Sequence, residues 1–215
     1  MSVQVKICGL STADTLEAAI KGGADLVGFV FYEPSPRNLD LGTAVKLAKL
    51  VPDHIRKVAL VVDADNAKLD GIVEAISPDF IQAHGSETPE RVVEIKQRYG
   101  CPVIKAIKVS KAEDLDEIAL YENIADLVLF DAKVPDSLED ALPGGNGLAF
   151  DWQLIANRKP QFDFILSGGL EADNVAEALH MTGAAIVDVS SGVETALGIK
   201  DKQLIADFLT TAKEA

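Results

Sequence analysis

Short apolar, β-branched runs recur at Val3–Ile7, Leu26–Phe31, Val58–Val62, Phe80–Gln82, Val103–Ile107, Leu127–Phe130, Phe164–Leu166 and Ile186–Val189. Between most of them the apolar positions change to helical spacing, as at Leu69, Ile72, Val73 and Ile76, at Val175, Ala178 and Leu179, and at Leu204, Ile205, Phe208 and Leu209. Strands that are apolar on both faces, alternating with helices, are the pattern of a parallel sheet covered by helices. Eight β-then-α units in 215 residues predict an α/β fold, a single-domain (β/α)8 TIM barrel over residues 1–215, with a doubly wound open sheet as the alternative. Either architecture puts the chemistry at the C-terminal ends of the strands.

Helix boundaries are marked locally. Ser11 with Asp14, Ser110 with Glu113 and Ser191 with Glu194 stand at or near capping-box spacing, and Thr88-Pro89 supplies a cap followed by proline in the first turn. Asp151 is expected to cap the helix of Trp152, Leu154 and Ile155, and glycines at 22–23, 100 and 183 stand where C-caps are needed. No linker divides the chain.

Composition narrows the function classes. A formal net charge of −14 argues against nucleic acid or an anionic membrane as partner, and requires short-range donors for any anionic substrate. No apolar run approaches the roughly 18 residues of a membrane span. The opening Met1–Val5 has no basic segment leading into a longer apolar one, so the cytoplasm is expected. Cys8 and Cys101 lack paired spacing, and three scattered histidines offer no metal-ligand pattern, so neither a disulfide framework nor a metal site is expected.

The strand ends carry a polar ring: Cys8-Gly9, Ser35-Pro36-Arg37, Asp63, His84-Gly85, Lys108, Asp131, Ser167-Gly168-Gly169 and Asp188-Val189-Ser190-Ser191-Gly192. Lys6, a glycine corner and a following helix start are features that would lower the pKa of Cys8 and make it a base; the alternative is a small buried apolar residue. Asp131 at the mouth of an apolar barrel would have its pKa raised by desolvation and become a proton donor, the alternative being a loop cap beside Lys133. Arg37 either clamps a carboxylate or is an exposed arginine on a proline-fixed turn. His84 reads first as a hydrogen-bonded structural residue. Gly168-Gly169 together with Ser190-Ser191-Gly192 suits a phosphate between the last two loops, against a reading as two tight turns.

Taken in order, Lys6-Ile7-Cys8-Gly9-Leu10, Ser35-Pro36-Arg37, Gln82-Ala83-His84-Gly85, Phe130-Asp131, Gly144-Gly145-Asn146-Gly147, Phe150-Asp151-Trp152, Leu166-Ser167-Gly168-Gly169-Leu170, Asp188 to Glu194 and Gly198-Ile199-Lys200-Asp201 resemble the motifs of the phosphoribosylanthranilate isomerases of tryptophan biosynthesis. The resemblance covers nearly the whole chain. It implies a (β/α)8 barrel, no cofactor, and an Amadori rearrangement of an aminoaldose to an aminoketose. It further implies Cys8 as general base, Asp131 as general acid, Arg37 on the anthranilate carboxylate, and Asp188, Gly168, Gly169, Ser190 and Ser191 around the phosphorylated substrate. The expected partner is that small molecule alone, taken by a monomer or a homodimer. The chain departs from the family pattern at Ala83, at Asn146 and over Val61–Ala64. Two other readings stand beside this one. A non-catalytic phosphometabolite-binding barrel is opposed by the intact Cys8 and Asp131. A sugar-phosphate isomerase of histidine biosynthesis is expected to carry two aspartates where this chain has Cys8 and Asp131.

Overall fold

The computed structural model describes residues 3–134, 144–158 and 160–215. Eight parallel strands close into a barrel in chain order: β1 (Gln4–Cys8), β2 (Leu26–Phe31), β3 (Arg56–Val61), β4 (Phe80–Ala83), β5 (Val103–Val109), β6 (Leu127–Ala132), β7 (Phe164–Leu166) and β8 (Ile186–Val189). Pairing of Gln4 with Ile186 and of Lys6 with Asp188 joins the last strand to the first, and this closure excludes the open-sheet alternative. The apolar runs locate all eight strands, with shifts of a residue or two at the ends of some.

Around the barrel lie α1 (Ala13–Lys21), α2 (Leu41–Ala48), α3 (Asn66–Ile76), α4 (Pro89–Tyr99), α5 (Ile118–Tyr121, after a 3-10 turn at Ala112–Glu117), α6 (Gln153–Arg158), α7 (Val175–Thr182) and α8 (Lys202–Glu214). Alternation along each strand sorts the side chains into two buried sets. Leu26, Val58, Ile104, Leu129, Ile165 and Ile186 fill the barrel, while Val27, Phe29, Val61, Ile107 and Phe130 pack outward under the helices. A third small group, Cys8, Val30 and Leu60, lies nearer the mouth. Among the described residues, no helix is long and apolar enough to cross a membrane.

The opposite end of the barrel is fixed by a repeated device. Asp25, Asp79 and Asp126, each just before a strand, accept the backbone N–H of the first or second residue of the preceding strand: Val5 at 2.7 Å, Lys57 at 2.7 Å and Val103 at 2.8 Å. Such bonds from a carboxylate to buried backbone donors set the strand register away from the mouth. At the helix starts, Thr88 caps α4 as expected, and Asp151 receives the N–H of Gln153 at 3.0 Å. Three expected caps are corrected; beside the 3-10 turn Ala112–Glu117, Asp114 and not Glu113 reaches back, accepting the N–H groups of Ser110 at 2.8 Å and Lys111 at 3.1 Å. Thr12, not Ser11, accepts the N–H of Thr15 at the start of α1. Ser191 opens only a 3-10 turn, Ser191–Val193, and Glu194 turns away from it into a buried ion-pair network.

Candidate active site

Cys8, Arg37, Asp131, Gly168, Gly169, Asp188, Ser190 and Ser191, all singled out from strand ends, line one pocket at the mouth, joined by His84 and Gly144–Gly147. Asp63 stands apart from it. At φ 46° it turns the chain after β3 and accepts the N–H of Ser86 at 2.8 Å.

Two buried cation systems flank the base candidate. Lys6, pointing inward from β1, donates to Asp188 Oδ1 at 2.9 Å. Burial opposes the Lys6 charge, but Asp188 and Cys8 beside it outweigh that cost and raise its pKa, so Lys6 is an ammonium. The Cys8 thiol sits close to this cation, and the sequence expectation was a lowered pKa. The structure reverses it: burial pushes the thiol up, and neither Lys6 nor Lys200 offsets the lost solvation. Resting Cys8 is a thiol. The strand pattern gave no sign of what makes room for it, which is Gly28 on β2; a β-carbon there would lie 2.9 Å from Sγ.

The acid candidate is corrected in the opposite direction. Asp131 Oδ2 lies 3.0 Å from His84 Nε2 and 3.0 Å from Lys108 Nζ. Burial alone would raise the Asp131 pKa, yet the Lys108 charge beside it outweighs that cost and holds it well below the usual carboxylate range. Resting Asp131 is therefore a carboxylate. Burial and Lys108 in turn lower His84 to about 4, so its ring is neutral.

Arg37, 3 % exposed, extends its Nε and Nη2 edge to both oxygens of Glu194 at 2.7 and 2.8 Å, and Nη2 also donates to the Gly145 carbonyl at 3.0 Å. Its Nη1 side faces Gly145, where a β-carbon would come within 2.6 Å. Glu194 also takes Lys200 Nζ at 2.6 Å, and that ammonium donates onward to the Ser190 carbonyl at 2.9 Å. Glu194 and Lys200 do not stand out in the sequence as site residues, because the residue that ties them to the pocket, Arg37, lies 157 residues before Glu194.

The last two strand ends line the pocket from two sides. Gly168 and Gly169 have φ of 86° and 66°, and a side chain on Gly169 would collide with the Ala149 backbone at 2.7 Å. Opposite them stand Ser190, Ser191 and the 3-10 turn. Among the described residues, no group of three or more His, Cys, Asp or Glu side chains is placed to hold a metal ion.

With this geometry fixed, the comparisons decide the family. Residues 5–211 match the family described as N-(5'-phosphoribosyl)anthranilate (PRA) isomerase. The chain belongs to this family. The N-(5'-phosphoribosyl)anthranilate isomerase of Parvibaculum lavamentivorans is 57 % identical over 215 residues, the whole of both chains. The crystal structure of phosphoribosyl anthranilate isomerase from Thermotoga maritima superposes with a TM-score of 0.88 at 33 % identity, over 99 % of this chain and 100 % of that one. A structure of phosphoribosyl anthranilate isomerase in complex with reduced 1-(o-carboxyphenylamino)-1-deoxyribulose 5-phosphate superposes with a TM-score of 0.86 at 32 % identity, over 99 % and 100 % of the two chains. The chain is an isomerase of the tryptophan biosynthetic route.

Proposed function

We propose that this isomerase converts N-(5-phosphoribosyl)anthranilate to 1-(2-carboxyphenylamino)-1-deoxyribulose 5-phosphate, with Asp131 as general acid and Cys8 as general base. The observation that carries the assignment is their placement: a carboxyl group from β6 and a thiol from β1 share one pocket, between a glycine-lined anion opening and Arg37. A proton from Asp131 to the furanose ring oxygen, with the anilinic nitrogen lone pair forming C1′=N, breaks the C1′–O bond. The Cys8 thiolate then removes the C2′ proton, and the electrons of that bond pass into C1′=C2′ to neutralise the iminium. The resulting enolamine becomes the ketone as C1′ gains a proton and the C2′ hydroxyl gives one up. Anchors at the phosphate and carboxylate ends hold the reacting carbons between acid and base.

The resting pair holds its proton on the wrong partner, as thiol and carboxylate. The reactive pair, thiolate and carboxylic acid, carries the same number of protons and differs only by moving one from Cys8 to Asp131. Its population is small but constant at every pH between the two pKa values. Backbone N–H groups around Gly168, Gly169, Ser190 and Ser191 supply the phosphate contacts against the overall negative charge, and the Nη1 side of Arg37 is the edge offered to the anthranilate carboxylate. No cofactor takes part. All these residues come from one chain, so the site is whole in a monomer and equally so in a homodimer.

The test is turnover of freshly prepared substrate, followed by loss of anthranilate-type fluorescence. Rapid consumption supports the isomerase; binding of the substrate without consumption would leave a phosphometabolite-binding barrel.

A further inference from the structure

Asp131 is asked to deliver a proton, yet the pocket holds it without one. Only two nearby side chains have a hydrogen-bonding nitrogen within reach of its Oδ2 among the described residues: Lys108 and His84, each at 3.0 Å. These two nitrogens are themselves 2.6 Å apart, a separation that accommodates one hydrogen between them. With His84 neutral, that hydrogen belongs to the Lys108 ammonium, and Nε2 accepts it. The ring then carries its own hydrogen on Nδ1, facing the Gln82 amide at 2.9 Å. With the Gln82 amide turned so that its oxygen faces the ring, that oxygen accepts this hydrogen. Gln82 and His84 thus form a fixed acceptor that aims Lys108 at Asp131.

We propose that Lys108 hands Asp131 the proton used in ring opening, acting through Asp131 and not on the substrate. An ammonium N–H bond breaks and its proton passes to Oδ2, leaving an amine beside a neutral carboxyl group. The carboxyl O–H then breaks to protonate the ring oxygen, the carboxylate returns, and the amine is reprotonated through water by the proton that Cys8 gives up on becoming the thiolate, so the number of protons shared by the groups is unchanged. Exposure supports this direction of flow: the Lys108 side chain is 24 % exposed, against 6 % for Asp131 and 7 % for His84. Burial also lowers the Lys108 pKa from that of a free amine, which shortens the uphill step to a carboxyl group. Around the cluster, Lys105 and Glu87 act on Lys108 from the β5 and β4 side, Lys6 acts on His84, and Asp188, two strands along the barrel, feels the Asp131 charge. The inference rests on the reading of Asp131 as acid.

Three variants test it. Lys108→Arg keeps the charge but cannot release a proton near neutrality, and Lys108→Ala loses both. Both should lower kcat at least ~10-fold with KM little changed, since general acid–base transfer contributes ~10²–10⁴-fold. Methylammonium should restore part of the kcat of Lys108→Ala, and tetramethylammonium, with the same charge and no N–H, should not. Wild-type kcat in Lys108→Arg, equal effects of the two ammonium ions, or no rescue by either would overturn the relay. Asp131→Asn is measured alongside: near-wild-type turnover there defeats the acid assignment itself, whereas an inactive Asp131→Asn with a fully active Lys108→Arg defeats the relay alone.

Discussion

Gly28 on β2 makes the space that the Cys8 thiol occupies on β1: a β-carbon at position 28 would stand 2.9 Å from Sγ and 3.1 Å from the Cys8 α-carbon. The adjacent strands are paired at this point, Cys8 against Gly28, so the backbone cannot withdraw to relieve the contact. Gly28→Ala should therefore displace the thiol by a fraction of an ångström to an ångström. Expected are a drop in kcat of up to about 10²-fold, as misplaced reacting groups produce, and an overpacking cost of about 1–3 kcal/mol in urea unfolding. Unchanged kcat would mean the thiol position is not critical.

Glu194 holds two buried cations, Arg37 and Lys200, in a site where all three side chains are nearly excluded from water. Glu194→Gln leaves both positive charges without their carboxylate and should cost about 3–5 kcal/mol, the usual result of breaking a buried ion pair from one side. Burial opposes the Glu194 charge, but the Arg37 hydrogen bonds and Lys200 outweigh it and lower its pKa. A folded pKa below the unfolded value, about 4.3, means that its stabilisation is complete above that pH and disappears as the pH falls through the lower folded value. Wild-type stability should fall on that acid side, and the Gln variant should show a shallower loss. Parallel acid unfolding curves would contradict the network.

The anion opening makes a separate prediction. Gly169 is a poor place to probe it, because any side chain there strikes the Ala149 backbone, whereas Ser191 faces the pocket from the 3-10 turn. Ser191→Asp places a carboxylate where the phosphate should sit. Competition by inorganic phosphate should weaken at least ~10-fold, since one like-charge contact removing 1.4 kcal/mol of binding gives that factor. Undiminished competition would put the phosphate elsewhere.

The pH dependence of kcat/KM follows from the two corrected pKa directions. With Cys8 raised and Asp131 lowered, the fraction in the reactive thiolate–acid form is flat between the two values and declines outside them. The rate should therefore hold level through neutrality and begin its alkaline decline above the ordinary thiol value of about 8.5. A profile that already falls between pH ~6 and ~8 would mean that a group the reaction needs titrates there, and would contradict a raised Cys8 paired with a lowered Asp131.

The fold was legible because its signal is local: each strand is a short apolar run, and most runs lead into polar residues that the barrel brings to the mouth. The candidate residues were legible for the same reason, as positions lining one pocket. Their electrostatics were not. Cys8 was read from the charge of neighbouring Lys6, but complete burial matters more; Asp131 was read from its apolar strand, but His84 and Lys108 arrive from strands 47 and 23 residues away. Glu194 lies three residues after Ser191 and so mimicked a cap, whereas its true partner Arg37 is 157 residues distant. Gly28 carries no side chain to signal its role.

The assignment of acid and base is tested most directly by steady-state turnover of Asp131→Asn and Cys8→Ser, each checked for a wild-type circular dichroism spectrum. The amide cannot donate a comparable proton, and a serine hydroxyl is far less often ionised than a thiol. Each variant should lose at least ~10²-fold in kcat with little change in KM, the range expected for general acid–base catalysis. Turnover near wild type in either folded variant would contradict the assignment of that residue.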